Sequence, residues 1–244
     1  MRWTERIMAA RLVGVGRGVA AVAVWAMALA CSSAPRATPP TASPAGAPVR
    51  EADIVGDSVA STMLVDVQHV DSTIRVEARY ATPNNFTGAP LPGYEANRAL
   101  LLREAAEALG RVQRRALAQG YSLKVFDGYR PVRATRAMVE WTERVGRQDL
   151  IRDGYIAARS RHNLGLAIDL TLIRNPGGDE LAMGTPYDTF SEAAHTANAT
   201  GEAARNRALL VQLMESEGFT NYDQEWWHFS YPASSALRFD VVIR

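Results

Sequence analysis

Apolar and polar positions keep a clear period along most of the chain beyond Val65. Ile74, Val76, Ala78 and Tyr80 alternate with Arg75, Glu77 and Arg79, which predicts a half-buried strand with Tyr80 on its core face. Between Thr82 and Gly93 stand three prolines, two glycines and the pair Asn84-Asn85, the residues that punctuate a loop. Leu102, Ala105, Leu109, Val112 and Ala116 then recur at steps of three and four, predicting an amphipathic helix over 95–118 that ends near Gly120. A strand over 122–126 follows. Asp127-Gly128-Tyr129-Arg130-Pro131 reads as a turn, with Pro131 suited to the first position of a helix over 132–145. Arg130, biased to extended backbone by the proline after it, projects from the strand end.

Further on, Leu166, Ile168, Leu170 and Leu172 share one face of a strand, while Ala167, Asp169 and Thr171 share the other. A carboxylate therefore sits in the middle of a sheet. A helix over 202–216, closed by Gly218, leads to a strand over 225–231. Long helices segregated from hairpin-like strands predict a single α+β domain over 51–244, with a central, mainly antiparallel sheet and flanking helices.

The first fifty residues follow no such pattern. Arg2, Arg6, Arg11 and Arg17 precede the thirteen uncharged residues from Gly18 to Ala30, too short a run for a ~30 Å bilayer core and the right length for a signal-peptide apolar region. Residues 1–30 are expected to be a signal peptide, with Ala28-Leu29-Ala30 as the cleavage pattern. Cys31 follows at once, and Leu29-Ala30-Cys31-Ser32 looks like a bacterial lipobox whose leucine is displaced by one place. Two fates are open: an exported lipoprotein tethered to the membrane through a lipid on Cys31, or a plain secreted or periplasmic protein. Residues 31–50 carry five prolines and little to bury, which predicts an extended linker.

Composition narrows the field without choosing a function. The 244 residues are 47% apolar and 22% charged, with a formal net charge of +1. These values exclude a strongly basic nucleic-acid binder and a polytopic membrane protein. With Cys31 as the single cysteine, neither an intrachain disulfide nor a cysteine zinc cluster is available. Any metal site must use histidine and carboxylate.

Two clusters offer that chemistry. Ser160-Arg161-His162 precedes the strand that holds Asp169, and Glu225-Trp226-Trp227-His228 comes near the end of the chain. His162, Asp169 and His228 form a set of three protein ligands, which leaves one coordination position open as in catalytic zinc sites. A carboxylate that is not a ligand acts as general base beside such a metal, and Glu225 is the candidate provided that it lies on the turn before the His228 strand. Arg130 then stabilises the developing oxyanion. Read singly, each of these residues has a structural alternative: a core histidine, a hydrogen-bonding aspartate, a pair of core tryptophans. His69 and His195 are read as surface or structural histidines.

Ser-x-His-x-x-Gly-x-Ala-x-Asp at 160–169, together with Glu-Trp-Trp-His at 225–228, closely resembles the VanX-type D-alanyl-D-alanine dipeptidases. These belong to a zinc peptidase group that includes D-Ala-D-Ala carboxypeptidases and lysostaphin-like and hedgehog-like domains. Tyr80-Ala81-Thr82, Asn85-Phe86-Thr87-Gly88, Asp127-Gly128-Tyr129-Arg130-Pro131 and Met183-Gly184-Thr185-Pro186-Tyr187-Asp188 extend the likeness over about 65–240. The resemblance implies one zinc ion on His162, Asp169 and His228, Glu225 as base and Arg130 as carbonyl stabiliser. It further implies that Asp188 and Tyr80 receive the ammonium of a small D-dipeptide, with Ser160 near its carboxylate. Family members tied to glycopeptide resistance act in the cytoplasm, whereas the leader here predicts export, which points to peptidoglycan turnover or dipeptide scavenging. Two rivals stand beside the dipeptidase: a D,D-carboxypeptidase trimming stem peptides, and a non-catalytic, zinc-containing peptidoglycan-binding module.

Overall fold

The strand with Asp169 at its third position becomes the middle of the main sheet. In a computed structural model, which describes residues 54–232 and 237–244, the elements run in order as follows: β1 (Ile54–Val55), α1 (Asp57–Met63), β2 (Leu64–Asp66), α2 (Val67–Val70), β3 (Arg75–Val76), β4 (Leu100–Leu102), α3 (Arg103–Leu117), β5 (Tyr121–Asp127), α4 (Val132–Val145), α5 (Asp149–Arg152), β6 (Ala167–Arg174), α6 (Gly201–Glu215), β7 (Thr220–Asn221), β8 (His228–Ser230) and β9 (Arg238–Phe239). The main sheet has the order β3-β5-β6-β8-β7. All its pairings are antiparallel except β3 with β5. The α+β architecture with a mainly antiparallel sheet is therefore present. The leader, the linker and Cys31 lie outside the described residues, and among the described residues no helix is long and apolar enough to cross a membrane.

Every residue of β6 except Arg174 is buried, so this strand is covered on both faces. Leu166, Ile168, Leu170 and Leu172 are fully buried, as are Ala105, Leu109, Val112 and Ala116 of α3 and Leu210 of α6. α3 packs on β5 and α6 packs on β6. Burying each such leucine contributes roughly 1.5–3 kcal/mol, which fixes the strand register that the opposite, polar face uses.

Several boundaries differ from the periodic reading, each for a local reason. The strand expected over 74–80 shrinks to Arg75–Val76, and Tyr80 sits instead on a 3-10 turn over Arg79–Ala81. The side chain of Asn97 takes the strand's place, its Oδ1 accepting from Ala78 N at 2.7 Å and its Nδ2 donating to Val76 O at 3.0 Å. The helix expected from 95 begins only at Arg103, because Leu100–Leu102 pair antiparallel with Leu64–Asp66. Pro131 precedes α4 as its cap, with ψ of 142°, rather than opening it. The last predicted strand contracts to His228–Ser230, which leaves Glu225 on the turn before it. Regular structure also starts earlier than Val65, with β1 pairing parallel to β9.

Candidate active site

Three neighbouring strands set a row of polar side chains across the sheet. Asp169 on β6 pairs directly with Asp127 on β5 and with His228 on β8, so the three share one face. The match with Asp127 depends on a β-bulge. Val125 pairs with Leu170, yet Asp127 pairs with Asp169, making Phe126 an extra residue that turns the end of β5 toward the site.

His162 enters from a 3-10 turn, Arg161–Leu164. Ser160 caps that turn, its Oγ accepting from His162 N at 3.2 Å, while Asn163 Oδ1 accepts from Ser160 N at 3.3 Å. Gly165 closes the turn in the left-handed region at φ 65°, where a Cβ would lie 2.8 Å from Leu64 Cδ2, so glycine is required here. The Nδ1 of His162 lies 2.6 Å from the carbonyl of Gly128. A carbonyl only accepts, so Nδ1 carries the proton and Nε2 presents its lone pair to the site.

His162 Nε2, His228 Nδ1 and Asp169 Oδ1 then face one another at 3.2, 2.9 and 3.4 Å. Donors about a tetrahedral zinc with bonds of ~2.0–2.1 Å stand about 3.3 Å apart, so the cluster has the size of a zinc site. Its chemistry also fits: two imidazoles, one carboxylate, and an outer hydrogen bond that fixes the His162 tautomer. Among the described residues these three form a group able to hold a metal ion. Burial alone raises the Asp169 carboxyl, but the facing His162 and His228 rings overcome it and hold this group far below its ordinary value. Burial lowers the His228 imidazole, the direction that favours the neutral ring a metal ligand must be.

The other predicted residues surround this cluster. Glu225 is buried, with Oε2 3.8 Å from His228 Nδ1, and its carboxylate accepts no hydrogen bond among the described residues. Burial first, and then the charges of Asp169 and Asp188, push its carboxyl well above the ordinary range. Arg130 lies with its guanidinium on Asp127 Oδ2, at 2.9 Å from Nε and 2.8 Å from Nη2, and Nη2 is 3.7 Å from Asp169 Oδ2. Its Cζ stands 5.0 Å over the Tyr80 ring. Asp188, at φ 58° the non-glycine residue described with positive φ, receives the Tyr80 hydroxyl at 3.1 and 3.2 Å on its two oxygens. Burial, and then Asp169, raise its carboxyl to about 8.

Sequence reasoning missed two members. Asp127, in the turn motif beside Arg130, accepts from Tyr94 Oη at 2.6 Å as well as from Arg130. Tyr187 places its hydroxyl 3.0 Å from Asp169 Oδ2. Trp226 and Trp227 are core residues, and Trp227 packs edge-on against Tyr187. His195 bonds to the Tyr155 hydroxyl at 3.0 Å and His69 is exposed on α2.

Residues 60–240 match the family model described as Peptidase_M15, D-ala-D-ala dipeptidase. The chain belongs to the M15 D-Ala-D-Ala dipeptidase family. Within it, the chain is 38% identical to a D-alanyl-D-alanine dipeptidase of Enterococcus faecium over 70% of its own length and 91% of that protein's. It is 40% identical to one of Enterococcus faecalis over 64% of its length and 85% of the relative's. A third, from Escherichia coli, is 34% identical over 72% and 88%. The family match spans the five-stranded main sheet and every residue of the candidate site.

Proposed function

We propose that this dipeptidase-family chain hydrolyses D-Ala-D-Ala, or a related D-dipeptide, to free amino acids with one zinc ion held by His162, Asp169 and His228. The observation that carries this reading is a charge imbalance. Among the described residues, buried Asp127, Asp169 and Glu225 and half-buried Asp188 gather around one guanidinium, that of Arg130. Buried charge demands a partner, and when all four carboxylates are ionised three negative charges are in excess. A divalent ion on the ligand set and the ammonium of a free dipeptide supply three positive charges at these carboxylates, the dipeptide's own carboxylate being assigned to Ser160 and not to this cluster.

Zinc bound there supplies a Lewis acid for the scissile carbonyl and makes water a nucleophile near neutral pH. Glu225, which accepts no hydrogen bond among the described residues and is raised in pKa, takes the proton of the attacking water and returns it to the leaving amine. Arg130, held rigid by Asp127, places positive charge where the carbonyl oxygen becomes an oxyanion. Asp188 and Tyr80 pair with the substrate ammonium. Ser160 Oγ accepts from His162 N and donates to nothing among the described residues, so its proton is free for the substrate carboxylate. The Asp188 carboxylate favours a free dipeptide over a stem peptide, whose corresponding nitrogen is an uncharged amide. Export through residues 1–30, with tethering at Cys31, belongs to the same proposal and rests on the leader sequence alone; it suits cell-wall turnover or scavenging.

The test is metal dependence. Dialysis of the purified protein against a chelator abolishes release of D-alanine from D-Ala-D-Ala, and stoichiometric zinc restores it. Undiminished release from metal-free protein contradicts the proposal.

A further inference from the structure

Tyr187 comes just before Asp188 in the loop between β6 and α6, and its ring is fixed from two sides. It stacks on Phe126 with centroids 4.8 Å apart and meets the Trp227 ring edge-on at 5.4 Å. Phe126 is the extra residue of the β5 bulge, so the feature that turns Asp127 toward the site also supports this ring. The hydroxyl so placed lies 3.0 Å from Asp169 Oδ2 and 3.0 Å from the Tyr80 hydroxyl.

One phenol proton serves one acceptor at a time, and an ionised carboxylate is the stronger one. A phenol is ordinarily protonated at neutral pH, and Tyr80 gives its own proton to Asp188. The two oxygens of Asp169 are thereby divided. Oδ1 faces His162 and His228, while Oδ2 is met by Tyr187 at 3.0 Å and by Arg130 Nη2 at 3.7 Å.

We propose that Tyr187 is the positioning residue of this centre: its hydroxyl holds Oδ2 of Asp169 so that Oδ1 alone turns to the metal. The inference rests on the metal-binding reading above. Outer-shell hydrogen bonds of this kind are commonly worth about 10- to 100-fold in metal affinity.

The experiment uses the whole protein, stripped of metal, in three forms: wild type, Tyr187→Phe and Tyr155→Phe. Tyr187→Phe keeps both ring contacts and removes only the hydroxyl. Tyr155→Phe removes a hydroxyl bonded to His195, which is not one of the three ligands, and controls for general loosening. Zinc affinity is read by competition with a chromogenic chelator, and ligand geometry by the visible absorption of the cobalt-loaded protein. The expected result is a fivefold or greater loss of zinc affinity and an altered cobalt spectrum for Tyr187→Phe, with Tyr155→Phe matching wild type. A loss smaller than fivefold, or an equal loss in both variants, overturns the positioning role while leaving the metal site intact. Wild-type protein that binds no zinc removes the metal reading and this inference together.

Discussion

Asp127 stands directly across from Asp169, in the place that strict alternation gives to Phe126. The bulge puts two carboxylates side by side at the head of the site, and Arg130 answers both from 2.8 and 3.7 Å. Asp127 thereby anchors the Arg130 guanidinium. Asp127→Asn keeps the shape and removes the charge that orients Arg130. Turnover is expected to fall toward the roughly 10²- to 10³-fold loss seen on removal of one oxyanion donor, with the zinc content of the purified protein unchanged. Turnover within threefold of wild type contradicts the anchoring role.

Among the described residues, Glu225 is a buried carboxylate of the site that accepts no hydrogen bond and stands outside the His162, Asp169 and His228 group. Glu225→Ala is expected to lower turnover by at least the roughly 10²- to 10⁴-fold of general base catalysis, while zinc content measured by emission spectroscopy stays near one per chain. Normal turnover removes Glu225 as the base.

His228 supplies one of the three donors through Nδ1. His228→Ala leaves two ligands, and the protein is expected to emerge from purification without zinc and without activity. Retention of tight zinc binding would place the metal elsewhere.

The metal-free protein has a pH signature. Asp188, at an ordinary 3.8 when unfolded, is raised to about 8 in the folded state by burial and Asp169. Below pH 4 it is protonated in both states and costs nothing. From pH 4 to 8 the unfolded chain ionises first, so stability falls as pH rises, by at most about 1.4 kcal/mol per unit, and levels off above 8. Asp188→Asn is expected to flatten this fall, which denaturant titrations of metal-free protein at pH 5, 6.5 and 8 measure. Identical slopes in both proteins would show that Asp188 ionises freely.

How far these residues could be read from the sequence depended on the range of the forces that place them. α4 was legible from Pro131 ahead of it and β6 from its alternation, which also put Asp169 in mid-sheet although both faces of the strand are buried. Glu225 required a turn before His228, and the structure has one. The strand over 74–80 misled because a side chain distant in sequence, Asn97, captures its backbone. The helix over 95–118 ran long because Leu100–Leu102, apolar in either conformation, found β2 as a partner. Asp127 and Tyr187 were invisible as site members for the same reason: a bulge and a ring packed on Phe126 are properties of register and tertiary contact. Neither leaves a period in the sequence.

The measurement that bears most directly on the central claim compares three substrates with the purified, zinc-loaded protein: D-Ala-D-Ala, the same dipeptide with its amino group blocked, and a stem pentapeptide ending in D-Ala-D-Ala. The charge balance around Asp188 predicts D-alanine release from the free dipeptide alone, with Asp188→Asn raising KM for it about tenfold or more, on the usual worth of a charge-assisted hydrogen bond. Equal release from the blocked dipeptide and the pentapeptide would contradict the dipeptidase reading and make the protein a carboxypeptidase.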